Sequence, residues 1–150
     1  MSTEIEQLDR RRIRTLGIYV AGFASFVVLS LIRFFFRAYG LNQQPIGTVV
    51  LAGLGITLGV MAGCVITQAL LARRINEDPK LKEAFSSEML QLIDAQAWRA
   101  AYIGTAITVM FFAIASSFYP VCDALMIALT SIIVGAGVQR AAFYFKYRSL

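Results

Sequence analysis

Histidine is absent from this 150-residue chain, which removes the commonest general base and the commonest metal ligand in proteins. Charge is also scarce: 15% of the residues are charged and 58% are apolar, whereas soluble domains hold about a quarter charged residues. The mean hydropathy is +0.67. This composition indicates a single domain that is solvated largely by lipid, with room for about four membrane-crossing helices.

Long runs without charge locate the membrane spans. They predict four transmembrane helices, at about residues 15–36, 46–72, 99–118 and 124–145. No run shows the period-2 alternation of a barrel strand, and lipid tolerates no open sheet edge. We therefore expect an all-α polytopic membrane protein, a single membrane domain over residues 1–150, whose four spans form two hairpins.

The distribution of basic residues predicts the orientation. Twelve of the fourteen lysines and arginines fall in or beside the N-terminal segment, the central loop and the C-terminal tail. The other two, Arg33 and Arg37, follow the first span. Because cytoplasmic segments carry an excess of basic residues, we expect both termini in the cytoplasm. The arginine cluster at residues 10–14 is then a topology anchor, and we expect no nucleic-acid partner.

The central loop predicts an amphipathic cytoplasmic helix over about residues 79–98. Asp78 and Pro79 make a suitable helix start. The aspartate can cap the helix, and proline suits the first turn, where its missing backbone N–H is not needed. Apolar residues then recur at helical spacing and form a candidate docking face: Leu81, Phe85, Met89, Leu92 and Trp98. The charges of the loop balance, so we expect the helix to lie on the membrane or against the bundle. Docking of a partner protein is the alternative.

Small residues recur at helical spacing within the spans. Gly55, Gly59 and Gly63 are four apart and lie near one face of the second span, and Ser131 with Gly135 repeats the spacing in the fourth. Glycine lets a second backbone approach closely, which favours helix association in lipid. These residues predict close helix packing, either within one protomer or at an oligomer interface.

Two amides lie near the cytoplasmic ends of the second and fourth spans. Because leaving a primary amide unbonded in lipid is costly, we expect Gln68 and Gln139 to bond to other helices. A permeation or ligand role is the alternative. On the opposite side, Arg33, Arg37 and Asp123 form a predicted outer polar cluster. Either Asp123 pairs with one arginine, or both arginines reach the lipid headgroups.

The two cysteines, Cys64 and Cys122, are predicted at different depths of the membrane. Cys64 falls about 27 Å along the second span from its outer end, and Cys122 lies at the outer turn, so they cannot form a disulfide within one chain. We expect two free thiols. A Cys122–Cys122 bridge between protomers is the alternative.

The second half of the chain carries a resemblance to a known class of protein. It consists of the run DPKLKEA at residues 78–84, followed by Asp94, Trp98 and Arg99 leading into a span. These features resemble small uncharacterised bacterial four-helix inner-membrane proteins. The resemblance implies a bacterial inner (cell) membrane location and no particular activity.

The sequence favours a non-enzymatic integral membrane protein that assembles with itself or with a membrane-protein partner, including a role as an accessory or regulatory subunit. The alternative is a small channel or transporter formed by oligomerisation, since four spans enclose little by themselves. An enzyme is disfavoured, because no carboxylate pair, metal-ligand spacing or nucleophile motif is present. We therefore expect no catalytic residues, metal or cofactor. The bilayer is the expected partner, and the sequence assigns no small-molecule ligand.

Overall fold

The computed structural model describes residues 2–40, 45–79, 88–118 and 124–149. The regular structure in these ranges consists of four helices: α1 Ser2–Ala38, α2 Pro45–Glu77, α3 Glu88–Phe118 and α4 Ala124–Arg148. No strand occurs in the described residues. The all-α prediction with four helices is therefore confirmed.

All four helices in the described residues are long and apolar enough to cross a membrane. α1 has 37 residues and α2 has 33, so they extend over about 55 Å and 50 Å at 1.5 Å per residue. A bilayer has a hydrocarbon core of about 30 Å, so both helices are longer than a span requires. The lengths and composition are those of a multi-pass membrane protein.

Each helix reaches beyond the span predicted from the sequence. α1 begins at Ser2 and thus includes the arginine cluster, and α4 continues to Arg148. α3 begins inside the predicted cytoplasmic segment and passes Trp98 without a break. The described part of that segment and the third span therefore form one continuous helix, while residues 80–87 lie outside the described residues.

Local chemistry accounts for the end of α1 and the start of α2. The Tyr39 amide donates to the Phe35 carbonyl at 3.0 Å, and the Gly40 amide donates to the Arg37 carbonyl at 3.3 Å. Gly40 has a φ of 71°, a conformation that glycine adopts without steric cost and that commonly ends helices. Pro45 then opens α2, where its missing N–H is not needed.

The helices pack as neighbours in the order α2, α1, α4, α3. α1 packs along both α2 and α4, and α3 packs along α4. Residue numbers rise along α1 as they fall along α2, because Gly22 of α1 lies beside Met61 of α2 and Leu29 of α1 lies beside Gly53 of α2. The α1–α4 and α3–α4 contacts follow the same rule, so all three pairs are antiparallel. We call the end with the start of α1 the terminal end, and the other the turn end.

Most of the buried apolar residues form two clusters on either side of α1. The larger lies between α1 and α2 and contains Tyr19, Phe26, Val50, Leu54, Met61 and Cys64. The smaller lies toward the terminal end, where Leu16 of α1 meets Ile93 and Ala97 of α3 and Phe143 of α4. At the turn end, the Phe34 ring of α1 contacts Phe112 of α3 edge-on, with ring centroids 6.4 Å apart. α1 is therefore the central helix of the bundle.

Candidate functional site

The three glycines of α2 lie on the side of the helix that points away from α1. The buried residues of α2 are Val50, Leu54, Met61 and Cys64, and at 3.6 residues per turn the glycines fall on the opposite side. A Cβ atom added at Gly55, Gly59 or Gly63 would meet nothing within 4 Å. We call this surface the α2 glycine face.

Six other glycines in the helices behave differently. Each has an atom of a neighbouring helix within 4 Å of where a Cβ would stand; this group comprises Gly17, Gly22, Gly53, Gly104, Gly135 and Gly137. These glycines let the helices of one chain approach each other. The α2 glycine face thus has the small residues that allow close helix packing, but no described residue of another helix lies within 4 Å of where their side chains would stand.

Ser131 and Gly135, the other predicted packing residues, lie inside the bundle. Ser131 is 5% exposed, and its hydroxyl has no hydrogen-bond partner in the described structure. A Cβ at Gly135 would collide with the Thr105 hydroxyl of α3. This pair therefore packs α4 against α3 within one chain and presents no free surface to a second molecule.

Gln68 contacts α4 near the terminal end. The Arg140 Nε donates a hydrogen bond to the Gln68 Oε1 at 3.1 Å, and the same guanidinium lies 4.9 Å above the ring centroid of Tyr19. The Gln68 Nε2 is buried without a partner among the described residues. One arginine of α4 thus contacts both α2 and α1.

Gln139 makes the second interhelical amide contact, because its Nε2 donates to the Asp94 Oδ1 of α3 at 3.4 Å. A cavity of about 320 Å³ adjoins both amides and is lined by residues of all four helices, among them Arg12 and Asn76. The predicted amides and the unpredicted Asp94 and Arg140 together form a polar cluster at the terminal end.

The two ends of the chain also meet at the terminal end. The Tyr147 hydroxyl donates to the Asp9 Oδ1 at 2.6 Å, and the Arg12 guanidinium lies 5.2 Å above the Phe143 ring centroid. Sequence reasoning missed these contacts, because 138 positions separate Asp9 from Tyr147. The only sequence feature that pointed to a contact here was the Asp9 carboxylate, which lies before the first span and next to the arginine cluster.

The outer polar cluster is described only in part. Arg37 reaches α4, where its Nη1 lies 3.6 Å from the Met126 sulfur. Arg33 lies one turn earlier on the same side of α1, and both side chains are partly buried. The third predicted member, Asp123, lies outside the described residues.

The predicted docking face is also described in part. Met89, Leu92 and Trp98 are about half exposed or more, whereas the neighbouring Ile93 and Ala97 are buried against α1 and α4. α3 therefore uses a different face to join the bundle. The remaining predicted members, Leu81 and Phe85, lie outside the described residues.

Cys64 is a buried free thiol in the cluster between α1 and α2, and Cys122 lies outside the described residues. No group of three or more candidate metal ligands occurs in the part of the chain that the structure describes. Comparisons with protein-family models, with curated proteins and with solved structures found no match. The contacts of the chain itself are therefore the basis for a functional proposal.

Proposed function

We propose that this chain is a non-enzymatic integral membrane protein that assembles with a second copy of itself through the α2 glycine face. The observation that carries the proposal is the contrast among glycines. Gly55, Gly59 and Gly63 have open space where a Cβ would stand, while six other helix glycines have an atom of a neighbouring helix within 4 Å of that position. A glycine costs a helix about 1 kcal/mol relative to alanine, so three aligned glycines suit a helix that needs a close neighbour.

The chemistry of the face favours a second copy over an unrelated partner. Between Ile46 and Ala72 α2 carries no charged residue, so no charge pattern on this face selects a different protein. Ala52 and Ala62 are exposed and extend the row of small residues. A shallow groove of small residues is complementary to itself, and two such helices gain close packing and weak Cα–H contacts in lipid.

The proposal includes a location and an orientation. We place the chain in a bacterial inner membrane as two helix hairpins, with both termini in the cytoplasm. Basic residues at the terminal end support this orientation, since only Arg33 and Arg37 of the twelve lysines and arginines that the structure describes lie toward the turn end. Reporter fusions at Met1 and Leu150 test it, and activity of the two reporters on opposite sides of the membrane would contradict it.

The oligomeric state of purified protein tests the assembly. We expect native mass spectrometry in mild detergent to detect a dimer or higher oligomer of the wild type, and Gly59→Leu to shift it to monomer. Ala113→Leu adds similar bulk on an exposed part of α3 and serves as the matched control. A wild type that is monomeric in both detergent and lipid nanodiscs would contradict the proposal, as would a Gly59→Leu oligomer that equals the control.

Flux from liposomes distinguishes assembly alone from the alternative, a small channel or transporter formed by oligomerisation. Tight liposomes that contain the wild-type oligomer support an assembly role, such as that of an accessory or regulatory subunit. The exposed Met89, Leu92 and Trp98 would then be the surface that such a subunit offers to another protein. A leak that disappears with Gly59→Leu supports the pore instead.

A further inference from the structure

A second cavity lies in the turn-end half of the bundle. It has a volume of about 580 Å³ and is lined mainly by apolar side chains from all four helices, including Phe26, Leu54, Phe112 and Ile133. Ligand pockets of proteins typically measure about 300–1,000 Å³. The cavity is therefore large enough for a ligand.

The packing of the helices explains why this cavity exists. α2 and α4 both pack on α1 and make little contact with each other. Leu51 of α2 and Leu129 of α4 line the cavity and are each about half exposed. The space between the two helices therefore opens sideways, toward the hydrocarbon of the bilayer.

The charge in the cavity has one sign. Arg33 and Arg37 line it near the turn end, and no aspartate or glutamate is among its described lining residues. Two cations one helical turn apart at the rim of an apolar space attract an anion at that level.

Within the described structure, most N–H donors of the two guanidinium groups are available to such an anion. The acceptor that the described structure gives Arg37 is the thioether of Met126, at 3.6 Å, and a thioether is a weak acceptor. Arg33 makes no hydrogen bond or ion pair with another described residue. A pair of phosphate oxygens matches the planar fork of a guanidinium, so a phosphate is a suitable ligand for these two side chains.

The depth of the cavity matches one lipid chain. The residues of α1 that line the cavity run from Arg37 at the turn end to Phe26, which is about 17 Å along the helix axis at 1.5 Å per residue. One leaflet contributes about 15 Å to the hydrocarbon core. An acyl chain whose headgroup lies at the two arginines therefore fits within the cavity.

We infer that this cavity binds one acyl chain of a phospholipid with an anionic headgroup, whose phosphate contacts Arg33 and Arg37. Ser30 lies one turn deeper than Arg33 and also lines the cavity, so its hydroxyl is at the level of the ester groups. The site is separate from the α2 glycine face, although Gly55 borders both.

Fluorescence quenching tests the inference in the full chain. Trp98→Phe removes the single native tryptophan, and Phe26→Trp places an indole at a buried position that lines the cavity. The protein is reconstituted in vesicles that contain phosphatidylglycerol or phosphatidylcholine with identical brominated chains. Each arginine near an anionic headgroup contributes about a fivefold factor in binding, so two contribute about 25-fold. We therefore expect phosphatidylglycerol to reach the same quenching at a mole fraction at least about 10-fold lower than phosphatidylcholine. Equal quenching by the two lipids would overturn the inference.

Three further measurements address the site itself. The double variant Arg33→Gln/Arg37→Gln is expected to lose the preference, whereas Arg73→Gln, an exposed arginine at the other end of the bundle, is expected to keep it. Thr130→Phe fills part of the cavity without altering either arginine and is expected to reduce quenching by both lipids. Millimolar inorganic phosphate is expected to leave the quenching unchanged.

The opposite results reject the lipid site. A preference that survives in the double variant, or quenching that is unchanged in Thr130→Phe, shows that the lipid lies elsewhere. Quenching that is reversed by inorganic phosphate shows that the arginines bind a free anion. Circular dichroism and monodisperse elution establish that each variant is folded, and the wild-type arginines with Thr130→Phe provide the test if the double variant fails to fold.

Discussion

Arg140 and Gln68 connect α4 to α2 through a single hydrogen bond, in which the arginine Nε donates to the amide oxygen at 3.1 Å. The guanidinium also lies above the Tyr19 ring of α1. α2 and α4 make little other contact, so this bond is a principal link between two helices that both pack on α1. The remaining donor of the amide, the Gln68 Nε2, is buried and unpartnered within the described residues.

Replacing Arg140 with leucine is expected to destabilise the bundle by about 1–2 kcal/mol. The variant loses an interhelical hydrogen bond and a cation–π contact, and it leaves both ends of the Gln68 amide without a partner. Unfolding in a denaturing detergent, followed by circular dichroism, measures the effect. Arg73→Leu is the control, because the only pairing of that exposed side chain among the described residues is with Glu77 one turn away, so the variant is expected to change little. Equal losses in the two variants would show that the bond contributes nothing.

Two glycine-to-alanine variants are expected to differ in sign. At Gly137 a Cβ would collide with the ring of Phe23, so Gly137→Ala is expected to destabilise the monomer by about 1–3 kcal/mol. At Gly59 the space is open, so Gly59→Ala is expected to stabilise the monomer by up to about 1 kcal/mol through helix propensity. Unfolding at protein concentrations low enough to give monomer compares them. A loss at Gly59 equal to that at Gly137 would contradict the open glycine face.

Ser131 is expected to tolerate removal of its hydroxyl. Its oxygen is buried without a hydrogen-bond partner in the described structure, and such a group adds a desolvation cost of about 1–3 kcal/mol. Ser131→Ala is therefore expected to unfold at the same or a higher temperature than the wild type. Ser131→Leu is expected to unfold earlier, because the site is closely packed. A clear loss of stability in Ser131→Ala would show that the hydroxyl has a partner.

Tyr147→Phe is expected to weaken the attachment of the α1 start to α4. The variant keeps the ring that stacks on Phe143 but loses the hydrogen bond to Asp9, at a cost of about 1 kcal/mol. Hydrogen exchange is expected to rise around Leu8, which is buried next to this bond, while the exchange near Gly22 stays unchanged. Uniform exchange in the two regions would indicate that the bond does not hold the helix start.

The sequence was informative wherever a single helix determined the answer. Charge-free runs identified four helices, and the spacing of Gly55, Gly59 and Gly63 identified one face. Spacing does not reveal which helix lies opposite a face, because that depends on contacts between distant positions. The choice between packing within a protomer and at an interface therefore stayed open for α2, and it needed the position of α1.

The polar groups illustrate the same limit. A primary amide within a membrane span needs a hydrogen-bond partner. Gln68 and Gln139 could therefore be identified as candidates for interhelical bonds from their residue type and depth alone. Their partners, Arg140 and Asp94, could not, because each lies on a helix whose rotation is set by packing. Similarly, i and i+4 spacing placed Arg33 and Arg37 on one face, but the cavity beside them arises from the separation of α2 and α4.

The contact between Asp9 and Tyr147 has a consequence for biosynthesis, because α1 precedes α4 in the chain. The first turns of α1 cannot take their place on the bundle until α4 has been made. While the first three helices insert, those turns and their arginines lack their contact with α4 and remain accessible. A chain that stops before Tyr147 would leave this basic segment undocked, which would expose it to proteases.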